Sequence, residues 1–218
     1  MRFVLLVLLY PAMILTLYCA FIFAPTEAVM GEVQRIFYFH FSVDLVCFLA
    51  FFVLFIFSIA YLATGNRKFD IWASSSGEIG VLFGTLAMVT GSIWAKPVWN
   101  TWWTWDPRLT TFLILWLIYV AYLLLRANMA ESDKKYKLSA VFGILGFIDV
   151  PIVWMSIRWW RTIHPVVITS KSINLDPDMK TTMFVALGTF TLLYAVLLNF
   201  RVRQRKLDYE ITAKWMEA

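Results

Sequence analysis

Cysteine and histidine are both scarce in this 218-residue sequence, which contains two residues of each. The cysteines, Cys19 and Cys47, lie inside apolar stretches and form neither a C-x-x-C pair nor a C-x-x-C-H attachment motif. A structural disulfide and a covalently attached haem are therefore not indicated. No serine–histidine–acid or cysteine–histidine nucleophilic set is apparent, so we do not expect an enzyme in the ordinary sense.

Charged residues are also few, at 15% of the chain, whereas 61% is apolar and 18% aromatic. Soluble domains contain roughly 45–50% apolar residues. The net charge of +5 is spread between apolar runs and forms no single basic patch, which argues against nucleic-acid binding. The composition predicts a protein embedded in membrane lipid, and its spans should be helices because a helix satisfies its own backbone polar groups.

Six apolar segments approach or exceed the length of about 20 residues that a membrane-spanning helix needs. They cover residues of about 3–24, 37–63, 77–95, 108–126, 136–157 and 180–200. The first lacks a clear cleavage site and is longer than the apolar run of a signal peptide, so we expect a retained span. The sequence shows no internal repeat or linker. It predicts an all-α, six-helix transmembrane bundle that forms one domain over residues 1–218.

Helix-start signals mark three of these spans. They are a capping box from Ser75 to Glu78 and the aspartate–proline pairs Asp106-Pro107 and Asp176-Pro177. Basic residues indicate the orientation, since 12 of the 19 lie on the side of the termini and the even-numbered loops. By the positive-inside rule, both termini are cytoplasmic and the odd-numbered loops face outward.

Both histidines fall on the predicted outer side. His40 lies near the outward end of span 2, and His164 lies in the fifth loop, just beyond span 5. Odd-numbered loops share one face whichever way the chain is inserted. The topology alone therefore brings the two imidazoles to the same membrane surface.

Seven of the 11 tryptophans crowd the same side, five in the third loop (about residues 94–108) and two just before the second histidine. They are Trp94, Trp99, Trp102, Trp103, Trp105, Trp159 and Trp160. An interfacial aromatic belt is one explanation, but a belt is expected at both interfaces. Only Trp72 and Trp215 lie clearly on the opposite side.

This combination of residues is typical of a haem site. The macrocycle needs a flat aromatic surface, the iron needs imidazole nitrogens, and the propionates need cations. Four arginines could hold carboxylates in bidentate contacts: Arg35, Arg108, Arg158 and Arg161. Asp106 either caps span 4 or contacts the haem. A histidine at a helix end and an arginine that reaches lipid headgroups are common without any ligand, but their coincidence on one face favours a binding site.

Two acidic residues fall inside spans, where charges are costly and usually functional. Asp44 lies one turn after His40 and could orient that ring; it could equally pair with a basic group and fix helix packing. Asp149 lies just before Pro151, which we expect to kink span 5.

Residues 91–110, GSIWAKPVWNTWWTWDPRLT, closely resemble the tryptophan-rich WWD signature of haem-handling proteins in cytochrome c maturation. With segments 34–40 (QRIFYFH) and 156–164 (SIRWWRTIH) and six spans, the chain is similar to the haem exporter protein C (CcmC) family from about residue 30 to 200. Asn100 replaces a common glycine, and residues 41–44 differ from the family's usual proline and small residues. The larger WWD relatives, CcmF and the CcsA-type synthases, carry more spans and histidines.

The resemblance implies that His40 and His164 are axial ligands of a non-covalent haem b at the outer leaflet of the bacterial inner membrane, with Arg35 and Arg108 in support. It also implies partners: the haem chaperone CcmE, the ABC transporter subunits CcmA and CcmB, and the small membrane protein CcmD. Two alternatives remain open. A cytochrome b subunit would need ligands at both depths, and the opposite side has no histidine; a transporter could use Asp44 and Asp149 as a proton path.

Overall fold

The computed structural model describes residues 2–164, 173 and 175–217, and side chains between residues 4 and 211. The side chain of Trp215 and most of the fifth loop beyond His164 lie outside the described residues. The helices are α1 (Arg2–Tyr18), continued by a π-helical turn (Cys19–Phe23), α2 (Ile36–Thr64), α3 (Arg67–Trp99), α4 (Pro107–Asn128), α5 (Asp133–Phe147), α6 (Asp149–Trp159) and α7 (Pro177–Glu217). A 3-10 turn (Glu32–Arg35) leads into α2.

Six helical segments are long and apolar enough to cross a membrane. They are Val4–Phe23, Glu32–Thr64, Arg67–Trp99, Pro107–Asn128, Asp133–Trp159 and Pro177–Ile211. The prediction of an all-α membrane bundle with six spans is confirmed.

The start of span 3 was predicted wrongly. Its helix begins at Arg67, where the Asn66 side chain accepts a hydrogen bond from the Lys68 amide at 3.0 Å, and the supposed capping box lies inside the helix. Buried serines there serve tertiary packing: the Ser76 hydroxyl donates to the Ala50 carbonyl at 2.6 Å. A hydroxyl that bonds a neighbouring helix looks, in sequence, like one that caps its own helix.

The two aspartate–proline pairs do begin helices. Asp106 accepts a hydrogen bond from the Arg108 amide at 2.9 Å at the start of α4, and Asp176 accepts one from the Asp178 amide at 2.9 Å at the start of α7. In both, proline occupies the first helical position, where its missing N–H costs nothing.

The centre of the bundle is the contact between α2 and α3, with α5 and α7 also packed on α2. Gly80 permits this approach, since a Cβ there would lie 2.5 Å from a ring carbon of Phe51. The Phe51 ring also stacks on Tyr119 of α4, with centroids 3.7 Å apart. Small residues at a helix contact bring two backbones close, and this closeness fixes the register between α2 and α3.

Pro151 was predicted to kink the fifth span, and the structure shows a break in that helix at residue 148. Helix α5 ends at Phe147 and α6 begins at Asp149. A helical proline clashes with the carbonyl four residues earlier, which for Pro151 is the carbonyl of Phe147. The break therefore falls where the ring would collide.

Charged side chains form a network at the end of the bundle opposite the histidines. The Arg126 guanidinium donates to both carboxylate oxygens of the buried Asp70, at 2.6 and 3.0 Å. Arg67 pairs with the same carboxylate and, at 3.1 Å, with Glu131. The network joins the starts of α3 and α5 to the end of α4.

Candidate functional site

Both histidines border one cavity where α2, α3, α4 and the fifth loop meet. Its volume is about 570 Å³ when the open space at its mouth is included, and four indoles share its wall with His40 and His164: Trp94, Trp99, Trp102 and Trp103. A second cavity of about 610 Å³ extends toward α6 and is bordered by the same two histidines and by Trp94. The structure thus brings together imidazoles that are far apart in sequence.

A run of adjacent aromatic rings links the two histidines. The ring centroids of His40 and Trp94 are 5.9 Å apart, those of Trp94 and Trp99 are 6.0 Å apart, and those of Trp99 and His164 are 6.1 Å apart. Trp94 and Trp99 lie in the last turns of α3, because the helix continues through Pro97 to Trp99. The irregular part of the predicted 94–108 loop is therefore only residues 100–106.

The side chain of His40 is held by α3. Its Nδ1 lies 3.1 Å from the hydroxyl oxygen of Thr90. Gly91 leaves room for the ring, since a Cβ at that position would lie 3.0 Å from the ring carbon Cε1. These contacts fix where the imidazole can point.

Asp44 and Arg108 form a buried ion pair beside the cavities. The guanidinium donates to the Asp44 carboxylate at 2.8 Å and to the carbonyl of Val153 at 2.8 Å. Of the two interpretations of Asp44, the structure therefore shows pairing with a basic group, whereas the hydrogen-bond partner of His40 is Thr90. Arg108 borders both cavities, but some of its N–H groups are already committed to α2 and α6.

Asp106 joins the third loop to the fifth. Besides capping α4, its carboxylate accepts hydrogen bonds from the Thr162 hydroxyl at 2.7 Å and from the Ile163 amide at 3.0 Å. The Thr162 hydroxyl in turn accepts a bond from the backbone amide of His164 at 3.0 Å. One carboxylate thus positions the segment that carries the second histidine.

Several predicted residues lie outside the two cavities, as far as the described part of the chain shows: Arg35, Trp105, Asp106, Trp159, Trp160 and Arg161. Arg35 donates to the carbonyls of Ala20 at 2.5 Å and Ala24 at 3.2 Å and so ties the first span to the start of α2. The indole of Trp105 is 75% exposed and those of Trp159 and Trp160 are about half exposed. Arg158 borders the second cavity.

The sequence did not single out Thr90, Gly91 or Thr162, which position the two histidines. A helical pattern carried backward from Trp94 would have found Thr90, because residues four apart share one face of a helix. No comparable signal marks Thr162, since its partner Asp106 is distant in sequence.

Comparison with known proteins gives a match along nearly the whole chain. The family model of heme exporter protein C matches residues 1–217. The chain belongs to the heme exporter protein C family.

Individual relatives agree with this assignment. The chain is 30% identical over 201 residues to a putative cytochrome c biosynthesis ccmC-like mitochondrial protein of Marchantia polymorpha, covering 92% of this chain and 86% of that protein. It is 29% identical over 194 residues to heme exporter protein C of Escherichia coli K12, covering 89% and 79%. For heme exporter protein C of Bradyrhizobium diazoefficiens the identity is 33% over 179 residues, covering 80% and 67%. The resemblance seen in the sequence is confirmed.

Asn100 ends α3 in the left-handed conformation, with φ at 56°. Glycine adopts this conformation most readily, and asparagine is the usual substitute. Asparagine at position 100 thus suits the turn that the structure shows. Lys96 holds this turn through its ammonium group, which lies 3.1 Å from the Asn100 side-chain oxygen.

Proposed function

We propose that this member of the heme exporter protein C family binds a non-covalent haem b as cargo at the outer membrane face and passes it to a haem chaperone for cytochrome c maturation. The single observation that supports the proposal most is the shared cavity of His40 and His164. In this proposal the two imidazoles ligate the iron, and the indoles of α3 and the third loop support the macrocycle.

The chemistry of the cavity suits this cargo. The walls of both cavities are mainly aromatic and aliphatic, with the two imidazoles among the few polar groups, as is typical of sites for cofactors. The indole N–H of Trp94 is buried without an acceptor among the described residues, and a polar group on a bound molecule would satisfy it. Arg108 and Arg158 border the second cavity, and in this proposal they pair with the propionates.

In haem transfer, this chain binds the haem, orients it and releases it. Two neutral imidazoles hold the iron reversibly, so a competing ligand on a partner can displace them without covalent chemistry in this chain. We propose that this partner is a CcmE-like chaperone and that CcmA, CcmB and CcmD form the rest of the assembly. We propose a location in the inner membrane, and the charge distribution supports cytoplasmic termini.

Absorption spectra of the detergent-purified protein, oxidised and reduced, test the ligand assignment. His40→Ala and His164→Ala are each expected to lower the haem content or change the spectrum, and added imidazole is expected to restore a bis-imidazole spectrum. Thr191→Val, which alters one intrahelical hydroxyl on α7, is the control for purification and folding. An unchanged bis-imidazole spectrum in both histidine variants would overturn the assignment, and two haems per chain would favour electron transfer.

The aromatic wall is tested separately. Trp99→Ala removes an indole that contacts His164, whereas Trp72→Ala removes one that stacks on Phe57 outside the two cavities. We expect the first to lower haem retention during purification and the second to leave it unchanged. Equal retention in the two variants would argue against the tryptophan wall.

Transfer is tested by mixing the haem-loaded protein with purified apo-chaperone, separating the two proteins and measuring the haem in each by its absorption spectrum. The wild-type protein should load the chaperone, and the two histidine variants should load it less. A chaperone that receives as much haem from the variants as from the wild-type protein would contradict the proposed route.

A further inference from the structure

Three polar groups meet beside the ring of His40. Its Nδ1 lies 3.1 Å from Thr90 Oγ1, and the same hydroxyl lies 2.7 Å from the carbonyl oxygen of Leu86. The carbonyl oxygen of Ala87 is more distant from this hydroxyl, at 3.3 Å.

The number of protons in this group selects one tautomer of the imidazole. A threonine hydroxyl has a single proton to donate, and a carbonyl oxygen can only accept. If the hydroxyl proton goes to Leu86, the closest acceptor, the Thr90 oxygen can only accept from His40. Nδ1 then carries the proton. Two hydrogen bonds result, one from His40 Nδ1–H to Thr90 Oγ1 and one from the Thr90 hydroxyl to the Leu86 carbonyl.

The opposite tautomer forms one hydrogen bond fewer at this place. The hydroxyl would donate to Nδ1, and the Leu86 carbonyl would lose its hydroxyl partner. One net hydrogen bond corresponds to a preference of about tenfold between two such states. The preference opposes that of free imidazole in water, where the Nε2–H form dominates.

We infer that Thr90 is a positioning residue that holds neutral His40 in its Nδ1–H tautomer and leaves the lone pair of Nε2 available to a metal. That Nε2 binds the haem iron rests on the proposed function, whereas the tautomer is a property of the protein without haem. Metal-binding histidines commonly donate their second N–H to a carboxylate, a carbonyl or water. Here Asp44 is engaged by Arg108, and a threonine hydroxyl relays the bond to a backbone carbonyl.

The tautomer is measured by ¹⁵N NMR of the haem-free protein, labelled at histidine, in detergent and mildly alkaline buffer. His164→Ala leaves His40 as the only histidine, so each imidazole signal has one source. Thr90→Val keeps the shape of the side chain without the hydroxyl, Thr90→Ser keeps the hydroxyl, and Thr191→Val removes a hydroxyl that bonds only its own helix. All three are made in the His164→Ala background.

With Thr90 or Thr90→Ser, Nδ1 should give the pyrrole-like shift and Nε2 the pyridine-like shift. With Thr90→Val the assignment should reverse or become mixed, and Thr191→Val should resemble the parent. A parent protein with His40 in the Nε2–H form, or a Thr90→Val variant with unchanged shifts, overturns the inference.

Haem binding gives a second readout in the protein that retains His164. Thr90→Val should weaken haem affinity by roughly 10-fold or more, the range seen for partners of metal-binding histidines, and Thr90→Ser should restore it. If His40→Ala leaves the haem spectrum intact, the proposed function fails while the tautomer result stands. If Thr90→Val leaves both the shifts and the affinity unchanged, the inference fails even when His40 is a ligand.

Discussion

The carboxylate of Asp106 accepts a hydrogen bond from the backbone amide of Ile163 at 3.0 Å. This bond joins the tryptophan-rich third loop to the segment that ends in His164. The tryptophan wall and the second histidine are therefore not independent: the residue that caps α4 also positions the segment that ends in His164.

Replacement of Asp106 by alanine should affect the cap and the site together. We expect Asp106→Ala to destabilise the start of α4 by about 1 kcal/mol, as for other N-caps, and to lower haem affinity by roughly 10-fold because the His164 segment is released. Asp176→Ala, at the other aspartate–proline cap, is the matched control. It should cost similar stability and leave haem affinity close to wild type; equal losses of affinity would contradict a specific role of Asp106.

The buried pair of Asp44 and Arg108 should show strong coupling. Asp44→Leu or Arg108→Met alone leaves one buried charge without its partner, which costs roughly 3–5 kcal/mol. The double variant should recover most of that loss in thermal unfolding measured in detergent. Glu32→Gln, in an ion pair whose carboxylate is largely exposed, should have little effect. Additive losses in the double variant would show that the pair does not stabilise the bundle.

Gly91 should be sensitive to a single added methyl group. A Cβ there would lie 3.0 Å from His40 Cε1, so Gly91→Ala should displace the imidazole, reduce haem content and alter the spectrum. Gly188→Ala is the control, since a Cβ at that helical position meets no atom within 4 Å, and it should be neutral or stabilise by up to about 1 kcal/mol. Normal haem content in Gly91→Ala would show that the ring has more room than the structure indicates.

Acid should destabilise the charged network at the end of the bundle opposite the histidines. Burial opposes ionisation of Glu131, but hydrogen bonds from Lys135 and Tyr136 and nearby positive charges outweigh it, so its pKa is lowered from the ordinary 4.5. A lowered pKa means that the carboxylate stabilises the fold above pH 4.5 and that this contribution is lost as the pH falls through the folded-state pKa. The unfolding midpoint of Glu131→Gln should therefore fall less steeply with acid than that of the wild type.

The control for this pH dependence is Glu210→Gln, which removes the same charge from an exposed position of α7. Its midpoint should follow the wild-type curve. If Glu131→Gln also follows that curve, the carboxylate network does not contribute to acid stability.

The sequence was sufficient for features that depend on local chemistry. Apolar runs of bilayer length predicted six spans, and aspartate–proline pairs predicted two helix starts, because both signals act within a few turns of chain. A proline predicted the interruption of the fifth span for the same reason. Where a polar residue contacted another helix, local reasoning failed: Ser75 to Glu78 resembled a helix start, yet Glu78 pairs with Arg201 and Arg205 of α7.

The residues of the candidate site were mostly visible in the sequence, but their partners were not. Two histidines and a cluster of tryptophans drew attention because such residues are rare or concentrated. Only the packing of α2 against α3 placed Thr90 beside His40, only the meeting of α2, α4 and α6 paired Asp44 with Arg108, and only the third and fifth loops together gave Asp106 its second role. Hydrogen bonds and ion pairs of this kind join residues far apart in the chain, so their geometry is decided by tertiary packing and not by any local pattern of residues.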